Sequence, residues 1–423
     1  MSSPHNTKSS APLDLSRWRS VPNALMVIGG AAALLGAVFG DVKHATFSYL
    51  TAFMFFLSLG LGGLLLTILH HLFDASWSVP IRRVNEQLAC LLPVMGILFI
   101  PLLINVFAAS PEHTIYEWVK KIDEHQLDAA MSAKGALMTK GGYLAIWVLC
   151  FLVWTIYSRA FRKYSLEQDK TGSINCTIAM RRLAASGVFL FAITLTLAAI
   201  LFMKSLQHEW FSTMYGVYYF AASNWLTIAT VYAITWLLAR QGPLREVMTE
   251  KTYYFMGSLM FAFTVFYAYV TFFQYFIIWN ANVPEETFFY VLREHGNWFW
   301  VSMVVIFGHF FVPFLGMLRI DIKLAPWFML PMVAWIWLMH YVDMTFQIMP
   351  IAYPDGPHFG WMDFACGAFI GGVLAKVFIK NLNTSPMFPQ KDPRFAEAMD
   401  IYVPSGELAH AAAGQGKIKG GKH

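Results

Sequence analysis

Long apolar runs separated by short polar intervals dominate the chain. They recur near 21–39, 46–69, 87–107, 142–161, 184–203, 216–238, 253–278, 297–318, 325–346 and 361–380. At about 1.5 Å per residue, runs of this length can cross a bilayer core of ~30 Å. The pattern predicts an all-α polytopic membrane protein of ten transmembrane helices. The short alternating segments of a β-barrel do not occur. Pro93, Pro101, Pro313 and Pro331 lie inside predicted spans, where neighbouring helices can satisfy the freed backbone. The first span is rich in Gly and Ala, which suits close packing against another helix. A long interval at 108–141, containing IYEWVKKIDEHQLDAAMSAKGAL, reads as one or two amphipathic surface helices with Tyr116 and Trp118 at the interface.

The pattern also repeats. His44-Ala-Thr-Phe47-Ser48 resembles His208-Glu-Trp-Phe211-Ser212, and Phe56 matches Phe220, at an offset of 164 residues. Pro80-Ile-Arg82-Arg-Val84 resembles Pro243-Leu-Arg245-Glu-Val247 at an offset of 163. A repeat spanning four helices keeps both halves in one orientation, unlike an inverted-repeat transporter. This predicts two parallel four-helix bundles, helices 2–5 (46–205) and 6–9 (206–350). Peripheral helices at 21–45 and 351–380 flank them, with a polar arm at 1–20 and a tail at 381–423. The arm is not expected to be a cleaved leader, because no small-residue cleavage site follows the apolar run. The tail, rich in Pro and then in Gly, Ala and Lys, has too little apolar content to fold alone and is expected to lie on a partner.

Composition supports this class. Charged residues make up 13% of the 423 residues and hydrophobic ones 57%, whereas soluble domains carry roughly 25% charge. Charge placement sets the orientation. If the amino terminus is cytoplasmic, 23 of the 30 Lys and Arg fall inside, which predicts both termini in. The basic residues flank the membrane, so nucleic acid is excluded as a partner and membrane lipid is expected. Cys90, Cys150, Cys176 and Cys366 stand far apart, with no CxxCH and no cysteine cluster. No haem, iron–sulfur or metal site is therefore predicted on this chain.

Ionisable groups in apolar helices are costly and mark polar paths. His309 lies near the middle of the eighth span, about 18 Å from its outer end. His340, Asp343 and Gln347 share one face in the outer third of the ninth. These four form the candidate proton path, with Tyr267 and Tyr269 of the aromatic seventh span as further members. A histidine titrates near neutral pH and an adjacent aspartate can hold it; the alternative is an internal network that only specifies packing. At the inner end, His70, His71, Asp74, Arg82 and Glu86 form either a proton mouth or a solvated ion-pair loop against anionic lipid. Asn105, Tyr143 and Trp147 are weak candidates for lining a quinone pocket, and no catalytic residue is assigned.

Ten helices, two parallel bundles and no metal motif resemble the NrfD/polysulfide-reductase-like integral membrane subunits. The HHLFDASWSVPIRRVNEQL junction, the QYFIIWNANVPEET stretch and the Met387-Phe-Pro tail most resemble the second NrfD-like subunit of bacterial alternative complex III. That resemblance covers about residues 20–400. It implies a membrane subunit of a respiratory quinol:cytochrome c oxidoreductase in the bacterial cytoplasmic (inner) membrane. The implied partners are a paralogous NrfD-like subunit, an iron–sulfur subunit, multihaem and monohaem cytochrome c subunits, and a terminal oxidase as a further candidate. Haem c and iron–sulfur clusters would reside in those partners and quinone would be the lipid-soluble substrate. The family's quinol site belongs to the first bundle, where this chain has no intramembrane Asp or His in helices 3–5 to accept protons. The expectation is therefore a scaffold that conducts protons through the second bundle. The alternatives are a direct quinol-oxidising subunit and a free-standing proton-coupled carrier.

Overall fold

The computed structural model of the chain describes Leu15 and residues 18–399 except 127. The rest of the arm and the tail from residue 400 lie outside the described residues. The described part is 83% helical without strands. Nine helices among the described residues are long and apolar enough to cross a membrane. They are α1 (Ser20–Phe39), α2 (Val42–Leu72), α3 (Ser76–Ala108), α4 (Lys140–Thr171), α5 (Ile174–Gln207), α6 (Tyr215–Arg240), α7 (Glu250–Ala281), α8 (Trp298–Gly316) and α10 (Trp361–Asn383). Between the last two lies α9 (Pro326–Ile348), of similar length but more polar, since it carries His340, Asp343 and Gln347. The chain is an all-α, multi-pass membrane protein. Side chains such as Phe39, Phe189, Phe272, Trp300 and Leu315 are exposed around it, as an apolar solvent requires.

Helix α2 packs on α3, α3 on α4, α4 on α5, and α5 returns to α2. Helices α6, α7, α8 and α9 close a second ring in the same way, and α2 packs on α6 and α9 where the rings meet. In its most apolar stretch α2 is 89% buried and α6 78%, against 17–50% for the other seven spans. A helix that is apolar all round belongs in the interior, and α2 has almost no polar face.

The glycines of α2 set how near its neighbours come. A Cβ on Gly60 or Gly63 would meet Leu92 at 2.8 Å or Leu88 at 2.7 Å, so these two positions receive α3. A Cβ on Gly62 would lie 2.1 Å from Thr227 Oγ1 of α6, and that hydroxyl also donates to the Ser58 carbonyl at 3.1 Å. Outside the rings, Gly29 of α1 and Gly372 of α10 each sit where a Cβ would be 2.5 Å from the other helix's backbone nitrogen, the close approach that small residues permit.

Indole hydrogen bonds tie the second ring: Trp225 Nε1 donates to Thr264 Oγ1 (2.8 Å), Trp337 Nε1 to Thr230 Oγ1 (2.9 Å) and Trp335 Nε1 to the Gly308 carbonyl (2.8 Å). The last bond falls in a π-helical stretch, Val305–Phe311, inside α8. Such wide turns leave backbone groups that a neighbour must satisfy. Pro93 and Pro101 each open a new segment of α3, while Pro331 lies within α9.

Two expectations are corrected. Tyr116 and Trp118 are fully buried rather than interfacial. The loop does contain two short helices, Glu117–Asp123 and Ala129–Lys134, but Tyr116 hydrogen-bonds Tyr143 (2.9 Å) and the Phe202 carbonyl (2.8 Å), so the loop plugs the first ring. The proximal tail, residues 384–399, lies on this chain's own helices. Met387 and Phe388 supply the apolar anchor that the tail's overall composition concealed, being 0% and 5% exposed.

Gly62→Ala is expected to overpack the junction of α2 and α6 and lower stability by about 2 kcal/mol. Gly367→Ala, which meets nothing within 4 Å, should be neutral. Thermal unfolding of the two variants in the same detergent checks this.

Candidate functional site

The second ring encloses the site. His309 comes from the π stretch of α8, and its imidazole is stacked between Trp225 of α6 (centroids 3.8 Å apart) and Tyr267 of α7 (3.7 Å). Both ring nitrogens are buried and without a hydrogen-bond partner. His340 and Asp343, one turn apart on α9, are fully buried beside it. One nitrogen of each histidine and one Asp343 oxygen all lie within 4.8 Å of one another, a spacing that a single bridging water can link.

Hydroxyls surround this triad. The Tyr218 phenol donates to Asp343 Oδ2 at 2.6 Å, and the Tyr267 hydroxyl and the Gln347 amide also face the carboxylate. His340 Nε2 lies 3.0 Å from Ser58 Oγ on α2, which in turn meets the Tyr219 hydroxyl at 3.3 Å. One turn beyond Asp343, Gln347 Oε1 accepts from the Tyr215 hydroxyl at 3.4 Å. Capping that end, the Arg293 guanidinium is 1% exposed and donates to the carbonyls of Phe346 (3.1 Å) and Gln347 (2.8 Å). Burial pulls its pKa down to about 10. Polar groups therefore run from the centre of the ring to the end that carries Arg293 and His208.

The cluster can hold a proton on imidazole or carboxylate and hand it between groups a water apart. Two imidazoles and a carboxylate are also a donor set that borderline dications accept.

The structure gathers His309, His340, Asp343, Gln347 and Tyr267. It corrects the expected difference in depth between His309 and the α9 residues, because the side chains of His309, His340 and Asp343 meet within 4.8 Å. Tyr269 is corrected as a member: it is 55% exposed and stacks on Phe273 away from the triad. Ser58, Tyr215, Tyr218, Trp225 and Arg293 escaped the sequence reading. Aromatic and hydroxyl residues in apolar helices are ordinary packing, and Arg293 lies between spans; only the closing of the second ring against α9 gives these five a role.

The quinone candidates make other bonds. Asn105 donates to the His113 carbonyl at 3.0 Å and accepts from the Ile115 amide at 3.1 Å, anchoring the loop. The buried Tyr143 bonds to Tyr116, and Trp147 is half-buried against Phe99 and Phe151.

At the opposite end, the expectation of a solvated ion-pair loop is corrected. His70, His71, Arg82, Arg83 and Glu86 are all buried. Arg82 pairs with Glu86 (3.2 Å) and Asp392, and Arg83 pairs with Glu86 (2.9 Å) and Asp169. His70 Nδ1 meets Ser78 Oγ at 2.7 Å. Asp74 is half-exposed and pairs with Arg181 and Arg394. Burial alone would raise the Asp392 pKa, but the Arg82 guanidinium holds it below the ordinary carboxylate range. The tail segment lies over this end, since Gln87 Nε2 donates to Ser385 Oγ at 2.9 Å and the Gln390 amide to Asp169 at 2.9 Å.

No family model matches the chain, and no curated protein matches it.

Replacing Asp392 with Asn removes one partner of a buried pair and should cost about 3 kcal/mol. Faster tryptic cleavage after Lys391 or Arg394 would report the released tail. At the other end, Asp128 accepts from His208 (2.6 Å), the Met131 amide (2.7 Å) and Lys121 (3.0 Å). Removal from water is the largest single influence and raises its pKa, but these bonds together outweigh it and hold the carboxyl well below the ordinary value. A depressed carboxylate contributes stability that is complete above its unfolded pKa of about 4 and lost as pH falls through the folded value. Hydrogen-exchange protection of the 109–139 loop should therefore decline below about pH 4, and Asp128→Asn should flatten that dependence.

Proposed function

We propose that this chain is a membrane subunit of a respiratory quinol:cytochrome c oxidoreductase of the alternative complex III type. It scaffolds the complex and conducts protons through its second ring. The observation that carries the reading is the convergence of His309, His340 and Asp343 in one buried space, continued by Tyr218, Tyr215 and Gln347 toward Arg293. Ionisable groups gathered away from lipid are what a proton relay needs. One nitrogen of each histidine and a carboxylate oxygen of Asp343 lie within 4.8 Å of one another, and neither His309 nitrogen has a hydrogen-bond partner of its own.

The family assignment rests on the resemblance of the three motifs. In the structure PIRRVNEQ is the buried arginine junction, and NANVPEET opens the short helix Pro284–Glu294 that presents Arg293. The two rings support the internal repeat, because α2 and α6 open them and are the two most buried helices. On this reading the rings are parallel bundles and both termini face the cytoplasm of a bacterial inner membrane. The Arg293 end then faces outward. The redox centres belong to the iron–sulfur and cytochrome c partners. The paralogous subunit oxidises quinol, since Asn105 and Tyr143 are committed to the plugging loop.

Asp343→Asn in the assembled complex is the test. Proton release and membrane potential per electron should fall at least about tenfold, with subunit composition unchanged. Unaltered proton movement in an intact complex would sink the relay. Photo-crosslinking with a quinone analogue should label the paralogue; labelling of this chain would assign it the quinol site instead.

A further inference from the structure

A cavity of about 440 Å³ opens at the Arg82 end of the second ring, between the end of α6, the turn after it, and the starts of α7 and α9. Tyr232, Trp236, Arg240, Arg245, Tyr253 and Pro326 line it. The Arg240 guanidinium lies over the Trp236 indole at 3.9 Å, which fixes its plane. Neither Arg240 nor Arg245 makes an ion pair among the described residues, and no carboxylate lines the cavity. Elsewhere at this end Arg82, Arg83, Arg181, Arg319 and Arg394 each meet a carboxylate, whereas the cavity wall offers Arg240 and Arg245 none.

Two guanidinium groups over one cavity present forked donors that match phosphate oxygens and concentrate positive charge along a wall with no carboxylate among its described residues. The remaining wall is aromatic and aliphatic, fit for the carbon atoms of an ester-linked group. The cavity also lies at helix ends, beside Trp327, which follows Pro326 and is 76% exposed. A tryptophan in that position is characteristic of the membrane interface, the depth at which phosphate headgroups lie.

We propose that this cavity binds a phosphate group between Arg240 and Arg245. An anionic phospholipid headgroup and a free phosphate compound share that chemistry. The assignment needs only the membrane class of the protein and is independent of proton conduction by the His309 cluster.

The test uses the full chain, purified in detergent, stripped of lipid, then titrated with phosphatidylglycerol or with inorganic phosphate and weighed by native mass spectrometry. One phosphatidylglycerol should be retained per chain, and the Arg240→Gln, Arg245→Gln double variant should bind it at least about tenfold more weakly. The Arg240→Lys, Arg245→Lys variant keeps the charge without the forks and should fall between them; it also serves if the first variant does not fold. Arg319→Gln, at an exposed arginine already paired with Asp321, should bind as the unaltered chain does. Displacement of the lipid by millimolar inorganic phosphate would assign the site to a free phosphate compound, and its persistence would assign it to the lipid. Equal retention of both ligands by the unaltered chain and the folded double variants would overturn the proposal.

Discussion

The contact between α2 and α6 is the constraint on which the other features depend. Two helices that are apolar on every side can approach closely only where one of them lacks a side chain, and Gly62 against Thr227 supplies that place. The approach brings Ser58 under His340 and Tyr219 over the Met54 carbonyl, so a hydroxyl from the first ring reaches the centre of the second. The polar groups of the site are thus held by an apolar fit, and the fit is made by the smallest residue in the segment.

The two ends of the molecule are closed by different means. At one end two arginines and three carboxylates are buried together, with the segment around Asp392 folded over them. Removing so many charges from water is unfavourable unless every one finds a partner, which ties the tail to the ring. At the other end the loop after α3 inserts Tyr116 and Trp118, and apolar burial does most of the work. Both devices seal the first ring, whereas the second ring has a polar line leading outward.

Much of this was legible in the sequence. Length and hydropathy alone located the helices, because a bilayer core sets a minimum run that few soluble segments reach. His309, His340 and Asp343 stood out because their residue types are anomalous in such runs. What could not be read was partnership. Tyr218 and Tyr269 look alike in aromatic helices, yet one bonds Asp343 and the other faces outward, a difference set by rotation about the helix axis. Arg293 lies between predicted spans yet is buried, because it donates to the carbonyls at the end of α9 that have no helical partner. The tail read as polar from its average composition, while two adjacent side chains, Met387 and Phe388, decide where it goes.

The aromatic sandwich around His309 restricts how its ring can move. With Trp225 on one face and Tyr267 on the other, the imidazole can slide in its own plane, but turning over would require the two flanking rings to part. Rotation of the ring is therefore not available as a step for carrying anything from one side to the other. The stack therefore holds Nδ1 and Nε2 at fixed edges of the slot, and the side chain presents them to its surroundings in a single orientation.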